Sequence, residues 1–253
     1  MLFRSCLQEI DYFMKDAYLE FFDECVNKET FFEFGLSHII KIPLKEAIKE
    51  WKFLKSSIIS KNNRYDRPIY IRSYGRNKSN NALYIEFYKN VFDKLVLIDP
   101  SNNTHPRKLL QNMIPYTRRK TKKNGIDLIL NYQVSHVFGM TKNAFCFCAP
   151  WNVVYVPKMI DALTGHEAKG DYVLEFQYRF RKMIIDCYRD MIMDYNSLFN
   201  ELNILKKREN YINSLETKFD GIYGQSLPES KKRKIIEQFS NDIRNQINTI
   251  DIK

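Results

Sequence analysis

The sequence predicts an α+β protein, mostly helical, with a small strand-strand-helix unit embedded at about 126–170. Three observations lead there. Through most of the 253 residues, apolar positions recur every three or four residues, the spacing of amphipathic helices. Two short runs, "LILNYQVSHVF" and "APWNVVYVP", are instead dense in β-branched and aromatic residues and read as strands. The second run leads into "PKMIDALTGHEA", whose Pro suits the first turn of a helix. The chain is therefore read as a helical, basic region over 1–125, the hairpin and helix over 126–170, and a helical region over 171–253.

Taken in order, residues 4–27 place Leu7, Ile10, Phe13, Met14, Leu19, Phe21, Phe22 and Cys25 at spacings that suit one or two amphipathic helices. Pro43 opens a helix over "LKEAIKEWKFLKSSIIS". "RPIYIRSYGRNKSNN" couples a short strand-like run to an exposed polar loop carrying Arg72, Arg76 and Lys78. "ALYIEFYKNVFDKL" reads as helix, and "VLIDPSNNTHPRKLLQNMI" breaks at Pro100 and Pro106 before a short helix. From 171 onward an apolar stripe without Pro or Gly predicts one long helix or two in tandem. A break around Gly221, Gly224 and Pro228 precedes a C-terminal helix, whose Lys231, Lys232, Arg233 and Lys234 read as a solvated face.

Lys and Arg number 40 against 30 Asp and Glu, a net charge of +10, which favours an acidic partner such as nucleic acid. The densest part holds Arg107, Lys108, Arg118, Arg119, Lys120, Lys122 and Lys123, with Tyr116 among them. Such a stretch neutralises phosphates and releases their counterions. No run of apolar residues is long enough to span a membrane, and acidic residues arrive too early in the N-terminus for a secretory signal. Five scattered cysteines, Cys6, Cys25, Cys146, Cys148 and Cys187, do not form a disulfide framework, so free thiols and a cytoplasmic location are expected.

The strand-strand-helix stretch holds two of the four histidines in a particular order. His136 closes the first strand, Asn152 opens the second, and Asp161 and His166 follow on the helix. In this order the stretch resembles the HNH, or ββα-metal (His-Me finger), nucleases. The resemblance implies a general-base role for His136 and a loop-fixing role for Asn152, with Asp161 and His166 as ligands of a divalent cation. Ser135 stands where most members carry an acidic residue or His as a further ligand. A neutral imidazole can take a proton from water near neutral pH, and a bound cation can stabilise charge on the phosphorane oxygens and the leaving 3′ oxygen. Mg²⁺ is the implied ion, with Mn²⁺ as a substitute. Cys146 and Cys148 form a lone C-x-C, so no structural zinc is expected.

The implied partner is DNA, contacted by the basic residues above together with His105 and Lys142, while RNA remains open. A homodimer would suit cleavage of both strands by one site per chain. The biology this points to is a restriction-type endonuclease, with homing or toxin nucleases behind it. Glu86 and Lys89 stand at E-x-x-K spacing in a helical segment, so a PD-(D/E)xK site is not found. A non-catalytic nucleic-acid-binding protein explains the charge and the aromatics but leaves the order of the histidine and Asn to chance, and stays open as the alternative.

Overall fold

The computed structural model describes residues 16–60, 67–73, 80–117, 127–165, 167–223 and 227–252. The fold is α+β and mostly helical, with small sheets. The chain divides into two compact units, Met1–Ser37 and His38–Lys253. In the first, Asp16 caps α1 (Ala17–Glu24) by accepting from Tyr18 N–H at 2.9 Å, and Asn27 does the same for α2 (Lys28–Ser37) through Thr30 N–H at 3.1 Å. Phe31 of α2 meets Phe21 and Phe22 of α1 at ring-centroid distances of 5.9 and 5.6 Å.

The second unit begins its helical layer with α3 (Leu44–Ile59), entered from Pro43 as the sequence predicts. Ala47, Trp51, Leu54 and Ile58 fall on one stripe and are buried. Trp51 donates to Asp194 Oδ2 at 2.7 Å, and Lys55 pairs with the same carboxylate, tying α3 to α8 (Asp171–Glu201). Helix α8 is one element of 31 residues, interrupted at Tyr188, where φ is −128° and ψ 22°. The Tyr188 hydroxyl there reaches the carbonyl of Ile42. Helix α9 (Ile204–Tyr223) packs on α4 (Asn81–Phe92) and on α10 (Glu229–Gln246), with Tyr211 donating to the Leu83 carbonyl at 2.9 Å.

Among the described residues, three two-stranded sheets serve this helical mass. Strand β1 (Ile69–Ile71) pairs in parallel with β2 (Val96–Ile98), and α4 is the crossover between them. Asp99 follows β2 directly and starts α5 (Thr104–Met113) by accepting from the N–H groups of Ser101, Thr104 and His105. Strands β3 (Tyr116–Thr117) and β4 (Asp127–Leu128) form a second parallel pair. Strands β5 (Tyr132–His136) and β6 (Val153–Pro157) form the predicted antiparallel pair, in the register His136 opposite Val153 and Tyr132 opposite Pro157. Strand β6 is buried along its whole length, and its far edge is closed by Ile40, which exchanges two backbone bonds of 2.9 Å with Tyr155.

One expectation is corrected after β6. The segment beginning at Pro157 does not become a full helix; it makes a single 3-10 turn, Lys158–Ile160, and one α-turn, α7 (Asp161–Thr164). A second short helix, α6 (Ala144–Phe147), sits unpredicted between the two strands. Asn143 builds it: the side-chain oxygen accepts from Phe145 N–H at 3.0 Å, while the amide nitrogen donates to Tyr195 at 2.8 Å and to the Gln246 carbonyl at 3.1 Å.

Candidate active site

His136 ends β5, where pairing to β6 stops. Its Nε2 lies 3.0 Å from the carbonyl oxygen of Phe147, and the two rings stack at 5.4 Å with 9° between their planes. A carbonyl only accepts, so Nε2 carries the hydrogen and Nδ1 is left as the lone-pair nitrogen. Among the described residues Nδ1 has no hydrogen-bond partner. Burial pushes the imidazole down to about 4, against a smaller opposing effect of the Phe147 bond and with the Arg72 guanidinium adding to the depression. The ring is therefore neutral at physiological pH.

Asn152 holds the loop that positions this histidine. It is fully buried, accepts from Phe138 N–H at 2.9 Å, and donates to the carbonyls of Gly139 at 3.1 Å and Cys146 at 3.0 Å. Its own carbonyl accepts from Val137 N–H at 2.9 Å. One amide thus grips both the turn after β5 and the helix α6 that presents the Phe147 carbonyl. Gly139 has φ +64° in that turn, a left-handed conformation in which glycine carries no Cβ penalty.

Ser135 faces the other side of the hairpin, because successive strand residues alternate. Its hydroxyl is 3.3 Å from that of Thr164, which in turn donates to the Asp161 carbonyl at 2.8 Å. Burial, followed by the nearby Glu167 carboxylate, raises the Asp161 carboxyl above its ordinary value, against the Thr164 hydroxyl. The structure so brings Ser135 and Asp161 together through Thr164, while His166 lies outside the described residues. Among the described residues no group of three or more His, Cys, Asp and Glu is placed to hold a metal. The chemistry of the oxygen donors nevertheless fits a hard cation: a half-buried carboxylate disfavoured by a second carboxylate is what a divalent ion relieves.

Of the basic residues, Arg72 is exposed and donates through its backbone to Thr141, near enough for its charge to act on His136. His105, Arg107 and Lys108 share α5. Lys142 is engaged within the fold, pairing with Asp242 of α10 at 3.2 Å. Arg76, Lys78, Arg118, Arg119, Lys120, Lys122 and Lys123 lie outside the described residues. Sequence reading missed the partner of His105: Nδ1 is 2.8 Å from Asp99 Oδ2, and the ring stacks on Tyr70 at 3.4 Å and 14°. Burial opposes the charge on Asp99, but the N–H groups of His105 and Thr104, the His105 ring and the Ser101 N–H outweigh it and hold the carboxyl below its ordinary value. The signal available was "IDPSNNTH", an Asp between a strand-like run and a helix start.

Fold and site together describe an α+β, mostly helical protein whose hairpin, half-buried along β5 and buried along β6, carries a carbonyl-held histidine beside a loop-bracing asparagine. The chain belongs to the family described as "Uncharacterised protein PM1201", whose model matches residues 42–252. It is 37% identical over 215 residues to "Uncharacterized protein PM1201" of Pasteurella multocida (strain Pm70), an overlap of 84% of this chain and 93% of that protein. No solved structure matches the chain. No described helix is long and apolar enough to cross a membrane, and the described cysteines Cys25, Cys146, Cys148 and Cys187 are free.

Proposed function

We propose that the protein is a divalent-metal-dependent endonuclease that hydrolyses DNA phosphodiester bonds, of restriction type, with His136 as the general base. One observation carries the reading. The Phe147 carbonyl fixes the Nε2–H tautomer of His136, so Nδ1 is the nitrogen that takes a proton from water, and Asn152 holds that carbonyl's helix and the adjoining turn in place. The ring is a weak base when the site is empty. A phosphate drawn in beside it stabilises the imidazolium that forms as water attacks. Asp161 and Ser135, with His166, are the residues to hold Mg²⁺ or Mn²⁺, which when bound neutralises charge on the phosphoryl and leaving oxygens. Arg72, Arg107 and Lys108 and the basic run through Lys123 supply phosphate contacts. A homodimer would place two such sites on one duplex.

The test is incubation of purified protein with plasmid DNA, with and without Mg²⁺ or Mn²⁺, beside the His136→Ala variant. Discrete fragments that need both the metal and His136 are the expected result. Intact plasmid in every metal, or equal cutting by the variant, overturns the reading. A non-catalytic nucleic-acid-binding protein is the second reading, favoured by the single turn of α7, which is less helix than a cation site of this kind ordinarily rests on. It predicts salt-dependent binding with no cleavage at all.

A further inference from the structure

We propose that a cavity framed by α3, β1, α5 and α6 is a nucleotide pocket that takes one planar base, with its phosphate at the mouth. The cavity has a volume of about 340 Å³, near the lower end of the roughly 300–1,000 Å³ usual for small-molecule sites. It is separate from the hairpin site but shares a wall with it: Phe147 of α6 holds His136, and its neighbour Cys148 lines the cavity. The inference stands on this cavity alone and does not depend on the nuclease reading.

The lining selects the ligand class. The deep wall is apolar and buried, with Leu54, Leu109 and Cys148, and burial pushes the Cys148 thiol up to about 12, so it stays uncharged. A bare phosphate would lose its hydration there for no return. Glu50 and Arg67, paired with each other, also line the cavity, and their carboxylate and guanidinium supply acceptors and donors together. An alkyl chain would leave that polar pair unsolvated, whereas the edge of a nucleobase offers matching groups of both kinds.

Two further features complete the fit. Tyr70 and His105 line the cavity as a stacked aromatic pair, and the Asp99 carboxylate holds His105 by Nδ1 in that arrangement. Base-aromatic stacking is tolerant of base identity and favours flat ligands over saturated ones. Lys108 and Asn112 are the exposed polar lining residues, and Lys108 has no ion-pair partner among the described residues, so an anionic group is drawn to the rim.

The source of the nucleotide is either a free mononucleotide or one base of a bound strand. The experiment is calorimetric titration of the full chain, without divalent metal, by each of the four deoxynucleoside monophosphates, the matching nucleosides and inorganic phosphate. At least one monophosphate should bind with Kd below about 1 mM, its nucleoside about tenfold more weakly, and phosphate alone undetectably. Lys108→Ala should bring the monophosphate down to the nucleoside's affinity and leave the nucleoside unchanged. Tyr70→Leu should weaken both about tenfold, at an unaltered melting temperature. If Tyr70→Leu fails to fold, the Lys108→Ala result decides alone. Competition by a short single-stranded oligonucleotide, lost when every residue is abasic, assigns the pocket to a base of a strand; no competition assigns it to a free nucleotide. No binding of any monophosphate up to about 10 mM, or binding indifferent to Lys108→Ala, overturns the proposal. Because no metal and no cleavage enter the measurement, its failure leaves the nuclease reading untouched, and the reverse holds equally.

Discussion

His136 and His105 are each anchored by one ring nitrogen, yet by acceptors of different charge. A neutral carbonyl holds His136 at 3.0 Å at the end of β5, and a buried carboxylate holds His105 at 2.8 Å on the wall of a cavity. The Phe147 carbonyl does little to stabilise a positive ring, so burial dominates and His136 stays neutral. The Asp99 carboxylate accepts the Nδ1 hydrogen whether or not His105 is protonated. Two residues of one type are thereby set up differently by their anchors: the first keeps a neutral ring with Nδ1 as its lone-pair nitrogen, and the second is held with its ring stacked on Tyr70.

The largest expected effect separates the two directly. His136→Ala should lower cleavage by about 10² to 10⁴-fold with DNA affinity nearly unchanged, the usual worth of a positioned base. His105→Ala should alter nucleotide affinity and leave the cleavage chemistry nearly intact. Equal losses of rate in both variants would erase the distinction.

A pH titration of stability comes next. The ring takes a proton at 6.5 when unfolded but only near 4 when folded, so between these values the unfolded chain binds more protons and stability falls as pH drops. The contribution is complete above 6.5, and its loss on going down to about pH 4 amounts to about 3 kcal/mol. Urea unfolding at a series of pH values measures it, and in His136→Ala this part of the slope should vanish.

Smaller effects follow from the two loops. Asn152→Ala strands the Phe138 N–H and the carbonyls of Gly139 and Cys146, and should cost about 2 to 3 kcal/mol. Asp99→Asn keeps the shape but removes the charge behind four hydrogen bonds, for a loss of about 1 to 2 kcal/mol. The folded state holds the Asp99 carboxyl below its ordinary value, so its stabilisation is present above 3.8 and is lost as pH falls through the lower folded value. Denaturation midpoints of the two variants at neutral pH rank the two braces.

The helices and the hairpin were legible because their signals are periodic or compositional. Pro43 followed by the Ala47, Trp51, Leu54, Ile58 stripe announces α3, and the β-branched runs ending at His136 and starting after Asn152 announce β5 and β6. The partner of His136 was not legible, because a backbone carbonyl eleven residues away leaves no mark on residue type. Nor was the cavity, which gathers Glu50, Tyr70, His105 and Cys148 from four separate stretches of chain. The truncated α7 was hidden for another reason: "PKMIDALTG" has a good helix start, and the chain leaves the helix after Thr164, at Gly165.

The two tryptophans of the chain, Trp51 and Trp151, lie edge to face at 5.7 Å, with Tyr195 within 5.3 Å of the second. Both are buried, and they join α3 to the start of β6. Indoles this close couple their transitions, so the folded protein carries an optical signature of the hairpin seated on its helix. Emission should shift to the red, and the paired near-ultraviolet dichroism should collapse, the moment β6 loosens from α3, even while the far-ultraviolet signal of the long helices persists. The molecule thus contains its own probe, without any added label, for whether the loop bearing His136 is in place.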